Sequence, residues 1–339
     1  MGTTSSFFGG GGGEVYLPHF TFLTNNSSWS PPYDGTAYIH VIGAGGTTQT
    51  GNGGGAGAGG YSRKLVTLST GTSWNFTVGA TNTAQGGTGN NSSATDGSSS
   101  LTANGGSGSS GDSGGSGGTA SGGDVNYTGG DGGSRQGSEN GGCGGGAVNI
   151  TGASSSNISG GSVRNYNGPA YSGGGGVGGY ASEADNNINT SRETFTGGGG
   201  SGGPSLGGTS GQGYTWNSSA KKVCIGGVAS GGKPDKVVGF DFIKEWGAGG
   251  GWYSHRSSTN FFGLSIMEAG VGGGGAPTID SQGESPGFNG GMFGGGGGSR
   301  SYGGKGGLGG GGGNGWLSTL AHYGHGGQGV IFVEYISRS

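Results

Sequence analysis

Glycine constrains this chain more than any other feature, because 101 of its 339 residues are glycine. Glycine loses more backbone freedom on folding than any other residue, and it brings no side chain to bury. It is also a poor residue for helix interiors and for strand interiors. What glycine offers in quantity is its peptide group, and a buried peptide group has to be hydrogen-bonded. A glycine-rich fold must therefore be held together by dense hydrogen bonding between main chains.

Two architectures without a conventional core can be set aside on composition. Disordered chains typically combine high net charge with few aromatic residues, whereas this chain has a formal net charge of −3 and carries 13 Tyr, 13 Phe and 6 Trp. Collagen needs strict Gly-X-Y repetition and abundant proline, whereas the tracts here are irregular and the chain has 8 prolines. Polyproline-II-like helices have three residues per turn and no internal hydrogen bonds, so their peptide groups are free to bond to neighbours. We therefore predict a bundle of glycine-rich polyproline-II-like helices.

Strand patterns lie towards the two ends of the chain. Residues 73–78 alternate, with Trp74, Phe76 and Val78 on one side, and residues 61–68 alternate in the same way. Residues 330–336 form the most strand-like run of the sequence, because they are rich in β-branched and aromatic residues. A lone strand there needs a partner, so we expect it to return to the N-terminal strands. The sequence predicts a mainly β protein with a small antiparallel β-sandwich.

These patterns predict three regions. Residues 15–80 together with 329–339 form the β-sandwich, and residues 81–328 form a glycine-rich polyproline-II-type body with variable loop insertions. Residues 1–14 precede the first strand pattern and are predicted to be an attachment segment, in which Phe7 and Phe8 are the candidate docking residues.

No arrangement of residues indicates catalysis, a cofactor or a metal site, so we expect a protein that is not an enzyme. His322 and His325 lie three residues apart, but no carboxylate or thiol ligand is near them in sequence, and solvent-exposed loop histidines are the preferred interpretation. The pI near 5.9 and the scattered basic residues argue against nucleic-acid binding. No apolar stretch approaches the length of a membrane span. Cys143 and Cys224 are too few for a disulfide framework, and their bonding stays open.

Aromatic residues crowd into two long segments of the glycine-rich body, residues 212–246 and 252–268. Aromatic side chains supply large rigid contact areas and are common in binding hot spots, and loops on a rigid scaffold often carry binding residues. The alternative is a satellite core that caps the bundle, which we prefer for Phe240, Phe242, Phe261 and Phe262. The candidates for receptor binding are Tyr214, Trp216, Trp246, Trp252 and Tyr253.

Several short motifs occur in an order that resembles the glycine-rich domain of phage tail-fibre and receptor-binding adhesin proteins. They are residues 37–46, 53–61, 74–80, 122–130 and 326–335. The resemblance implies a virion protein of the tail or fibre tip whose loops contact a host cell-surface receptor, either a protein or a polysaccharide. It also implies contacts with other virion proteins through the N-terminal segment, and homo-oligomers are possible.

Two other functions stay open. One is a structural virion protein, such as a head decoration or a fibre shaft, that binds no receptor. The other is a cell-surface ligand-binding domain, because the glycine-rich extracellular region of anaplastic lymphoma kinase-type receptors also combines a sandwich with glycine helices.

Overall fold

A computed structural model describes residues 20–51, 53–136, 160, 163–164, 170–171, 174–176, 184–185, 194–196, 213–215, 287, 289–298, 303–315 and 324–338. Within these residues the protein is mainly β and contains no helix, and therefore no helix that could cross a lipid bilayer. The strands are β1 (Phe20–Leu23), β2 (Ser27–Trp29), β3 (Gly35–Ile42), β4 (Tyr61–Leu68), β5 (Trp74–Thr77), β6 (Ser92–Thr95), β7 (Ser100–Ala103), β8 (Ala120–Ser121), β9 (Val125–Tyr127), β10 (Arg135–Gln136), β11 (Val163–Arg164), β12 (Ala170–Tyr171), β13 (Ala184–Asp185), β14 (Thr194–Thr196), β15 (Gly213–Thr215) and β16 (Val330–Arg338).

The first large sheet is antiparallel and has the strand order β1-β16-β3-β4-β9. The C-terminal strand β16 lies in its interior, between β1 and β3, and pairs with both. This position confirms the prediction that the last strand returns to the N-terminal strands. Two further strand predictions are confirmed as well, because β4 covers residues 61–68 and β5 covers most of residues 73–78.

The second large sheet is also antiparallel, with the order β2-β5-β6-β7-β8. Three of its strands, β6 to β8, and strand β9 of the first sheet come from residues 92–127, further along the chain than the predicted sandwich segments. Strands β6 and β7 are short and consist largely of Ser, Thr and Ala, so they lack the bulky alternating residues that mark a strand in sequence.

One apolar cluster joins the inner faces of the two sheets. The first sheet contributes Ile39, Leu68 and Ile331, and the second contributes Trp74 and Leu101, all fully buried. Alternation along each strand places these residues on one side, as the period of two requires. The core of the sandwich is thus a conventional apolar one, built from residues of the strands.

The glycine tract that follows β3, residues 43–48, shows a hydrogen-bonding period of three. The first and fourth N–H groups donate to residues 53–60, the second and fifth to residues 87–90, and the third and sixth to residues 324–327. The N···O distances are 3.0 Å for Gly43 to Gly60, 2.9 Å for Gly46 to Gly57, 3.0 Å for Ala44 to Asn90, 2.9 Å for Thr47 to Gly87, 2.8 Å for Gly45 to Gly327 and 3.1 Å for Thr48 to Gly324. This tract therefore bonds to a different neighbour on each of three sides.

Residues 53–60, the tract that leads into β4, repeat this pattern with three further neighbours. Their N–H groups donate in turn to residues 104–111, 130–133 and 309–312. The bonds are Gly54 to Gly111, Gly57 to Ser107 and Gly60 to Asn104, then Gly55 to Gly133 and Ala58 to Gly130, then Ala56 to Gly312 and Gly59 to Gly309. Main-chain hydrogen bonds thus connect segments that are far apart in the chain.

Neighbouring tracts approach too closely for a side chain between them. A Cβ atom built on Gly57 would lie 2.1 Å from the carbonyl oxygen of Ser116, and one built on Gly60 would lie 2.3 Å from that of Thr119. Both distances are far below van der Waals contact. At other positions of the same tract, Ala56 and Ala58 fit and are fully buried. Glycine is therefore required at specific positions of the tract and not at all of them.

We expect Gly57→Ala to destabilise the protein by about 3 kcal/mol or more, because the new methyl group would overlap main-chain atoms that are themselves hydrogen-bonded. The matched control is Gly71→Ala in a turn, where the atom nearest to an added Cβ would be 3.9 Å away. Denaturant unfolding of the wild-type protein and the two variants measures the difference. Equal stability of the two variants would contradict the close packing of the tracts.

Candidate functional site

The outer faces of the two sheets differ in chemistry. On the second sheet, the outward residues of β5, β6 and β7 are small and polar, namely Asn75, Thr77, Ser93, Thr95 and Thr102. The outer face of the first sheet carries aromatic and charged residues instead. We call the set Phe22, Tyr38, His40, Tyr61, Arg63, Phe332 and Glu334 the aromatic face. Because exposed apolar side chains grouped on an outer surface can mark interaction sites, and Phe22 of this set and the neighbouring Leu65 are both exposed, this set is the candidate functional site.

Four residues of the aromatic face occupy one row across four strands. Phe22 of β1 is opposite Phe332 of β16, which is opposite His40 of β3, which is opposite Arg63 of β4. The Phe22 and Phe332 rings stack with centroids 5.5 Å apart, and the Phe332 and His40 rings stack at 3.9 Å. Such cross-strand pairs stabilise a sheet, and here they hold the three rings in fixed positions.

His40 forms hydrogen bonds on both sides of its ring. Its Nδ1 lies 2.8 Å from the Tyr61 hydroxyl, and its Nε2 lies 3.3 Å from Oε2 of Glu334, which is 294 residues away in the chain. A carboxylate can only accept, so Nε2–H donates to Glu334 and the Tyr61 O–H donates to Nδ1. His40 and Tyr61 are 6% and 3% exposed. This chain of bonds ties β16 to β3 and β4.

Burial sets the charge state of this network. It lowers the pKa of His40 to about 3, and the positive charge of Arg63 adds to the effect. The Glu334 carboxylate favours the protonated ring, but desolvation is the larger influence. Burial also raises the pKa of the Tyr61 hydroxyl to about 12. At neutral pH the His40 imidazole and the Tyr61 phenol are therefore both uncharged. The imidazole is then a weak base and the phenol a weak nucleophile. Their hydrogen bonds stabilise the first sheet.

The aromatic face is open at one end and covered at the other. At the covered end, Ile42, Tyr61 and Val330 are buried against Phe293 from the glycine-rich body. At the open end, the Phe22 side chain is 52% exposed. Arg63 is held there with its Cζ atom 4.8 Å from the centre of the Tyr38 ring, a cation–π geometry.

Of the receptor-binding candidates from the sequence, the structure describes the main chain at Tyr214. It lies on β15 in register with Phe195 of β14, which is in turn in register with Tyr171 of β12. Three aromatic residues therefore occupy one row of a small sheet. Six other candidates lie outside the described residues, together with both cysteines: Phe7, Phe8, Trp216, Trp246, Trp252, Tyr253, Cys143 and Cys224.

The prediction that His325 is solvent-exposed is wrong. His325 is half-buried, and burial lowers its pKa, with Lys305 adding to the shift, whereas the sequence indicated an exposed loop residue. In the described part of the chain no three His, Cys, Asp or Glu side chains are grouped so that they could hold a metal ion. His322 lies outside that part.

Sequence reasoning missed the aromatic face as a site. Alternation in residues 61–68 correctly placed Tyr61, Arg63 and Leu65 on one side, but the exposure of that side was not apparent. The pairing of His40 with Glu334 gives no local signal, because it depends on where β16 inserts. The one hint in the sequence is that Tyr38 and His40 lie two residues apart in a strand and therefore share a face.

The low pKa of His40 makes stability depend on pH. The unfolded chain binds a proton at His40 near pH 6.5, whereas the folded chain does so near pH 3. The stability contributed by the neutral ring is therefore complete above pH 6.5 and is lost as the pH falls towards 3, with a slope of up to about 1.4 kcal/mol per pH unit. In denaturant unfolding at pH 7, 5.5 and 4, the free energy of unfolding of His40→Gln should fall less steeply with decreasing pH than that of the wild-type protein. Parallel profiles would refute this assignment.

The chain matches no protein-family model, and no curated protein is significantly similar to it.

Proposed function

We propose that this chain is a phage tail-fibre or fibre-tip protein that attaches the virion to a host cell, and that its glycine tracts form a bundle of polyproline-II helices. The observation that carries the proposal is the period of three in the main-chain hydrogen bonds of residues 43–48 and 53–60. A polyproline-II helix has three residues per turn, so every third peptide group faces the same neighbour.

The packing of the tracts supports the same proposal. Carbonyl oxygens of neighbouring segments lie where a Cβ would stand on Gly54, Gly57 and Gly60, which are spaced three residues apart. This spacing is what a threefold helix produces when one of its sides touches a parallel neighbour. A bundle built in this way is a rigid platform that needs no large apolar core, and rigid platforms suit the display of binding loops.

The receptor contact is assigned in this proposal to the aromatic segments of the body. Tyr214, Trp216, Trp246, Trp252 and Tyr253 are its candidates, because aromatic residues are common in binding hot spots. Phe7 and Phe8 would attach the chain to another virion protein.

The mechanism of attachment is multivalent. A single loop contact of modest affinity becomes effective when several fibres of one particle engage the same cell, since the second contact forms at a high effective concentration. The protein then needs a stiff scaffold and an exposed contact surface, and it needs no reactive group.

A binding assay on bacterial cells tests the proposal. Fluorescently labelled full-length protein would be incubated with a panel of bacterial strains, beside a Trp216→Ala, Trp252→Ala, Tyr253→Ala triple variant. The control is Thr77→Ala, Thr95→Ala on the polar outer face of the second sheet. We expect the wild-type and control proteins to coat a subset of strains and to block phage adsorption to them, and the triple variant to lose at least about tenfold in binding.

Two results of this experiment would contradict the proposal in different ways. If the triple variant binds as well as the wild-type protein and has the same melting temperature, Trp216, Trp252 and Tyr253 do not form the receptor contact. Binding to phage heads or tails but to none of the strains would favour a structural virion protein instead.

A further inference from the structure

The open end of the aromatic face presents a rigid aromatic surface to solvent. Among the described residues, Phe22 and Leu65 are the large hydrophobic side chains with high exposure, at 52% and 45%. Phe22 is stacked on Phe332, which is stacked on His40, so its ring is held in place from one side. An exposed aromatic ring that is already fixed loses little conformational entropy when a ligand covers it.

Charged groups of both signs lie on the strands that continue the open end away from Phe22. The Arg63 guanidinium lies over the Tyr38 ring, and the Glu334 side chain is 34% exposed. Asp124 is exposed at the edge of β4, where its Oδ2 accepts a hydrogen bond from the Leu65 N–H at 2.9 Å. His40 is neutral there. Among the described residues, one cation and two carboxylates lie here and give the open end a net negative charge, which disfavours nucleic acid and acidic polysaccharides.

The shape of the face limits its occupant as well. Phe293, with Met292 and Leu308, covers the end formed by Ile42 and Val330. A flat sheet from a second protein cannot lie across the whole face, because this cover projects from it. A narrow ligand can lie on the open end, beside Phe293, Met292 and Leu308.

We propose that the open end of the aromatic face binds a neutral oligosaccharide. One pyranose unit would pack its apolar face on the exposed Phe22 ring, and the units that follow it across the strands would donate to Glu334 and Asp124 and accept from Arg63. A sugar combines an apolar ring face with a rim of donors and acceptors, which complements an aromatic surface bordered by charges of both signs. This inference rests on the proposed attachment function and adds a saccharide site on the sandwich, separate from the loop candidates.

Binding of defined sugars to the full-length protein tests the inference. The probes are maltotriose, cellotriose and triacetylchitotriose, measured by saturation-transfer NMR and titration calorimetry, with trigalacturonate as the acidic comparison. We expect at least one neutral trisaccharide to bind with a millimolar dissociation constant and more tightly than trigalacturonate. Phe22→Ala should weaken binding by about tenfold or more, Arg63→Ala should weaken it as well, and Phe22→Tyr and the control Thr95→Ala should preserve it.

Three results would overturn the inference. They are no binding of any neutral probe, binding that Phe22→Ala leaves unchanged, and a dimer in sedimentation experiments that Phe22→Ala dissociates, because the last would make the face a protein interface. The cell assay separates this inference from the proposed function. If the wild-type and Phe22→Ala proteins coat the same strains equally and no sugar binds, the saccharide site is wrong while attachment stands. If sugars bind but no strain is coated, the attachment function is wrong.

Discussion

Main-chain hydrogen bonding between glycine tracts is the interaction on which the rest of the structure depends. Every main-chain N–H of residues 43–48 and 54–60 donates to a carbonyl oxygen of another segment. Each such bond contributes only about 1 kcal/mol, but an unpaired buried peptide group would cost more than that. The tracts must therefore be paired almost completely, and complete pairing requires the close approach that glycine permits.

The sandwich and the tracts form one continuous ladder. Ile42 of β3 pairs with Tyr61 of β4, and the next residue outward, Gly43, donates to Gly60. The register of the sheet therefore sets the register of the two tracts that continue its central strands. On the other side, β16 follows directly after residues 324–329, which also bond to the tract after β3. The small conventional core thus helps to align glycine-rich segments that have few side chains of their own to fix their register.

Much of the sandwich could be predicted from sequence, and much of the candidate site could not. Alternation along residues 61–68 and 73–78 revealed β4 and β5, and the β-branched run revealed β16. Strands β6 and β7 were missed because Ser, Thr and Ala make no contrast between their two sides. The aromatic face depends on Phe332 and Glu334 arriving beside His40 from the far end of the chain, and no local pattern reports such a long-range pairing. The period of three in the tracts is equally hidden, because Ala and Thr interrupt the glycines wherever a Cβ atom fits between the main chains, and they do so without a regular spacing.

The interior position of β16 has a consequence for synthesis. Strands β1 and β3 leave the ribosome long before β16, but they do not pair with each other, since the strand that lies between them in the sheet is Val330–Arg338. The first sheet therefore cannot close until some three hundred further residues have been made. Until then its apolar strands stay exposed, which favours aggregation and recognition by chaperones. The sandwich can therefore fold completely only after translation has reached β16, because a chain that stops earlier lacks the strand between β1 and β3.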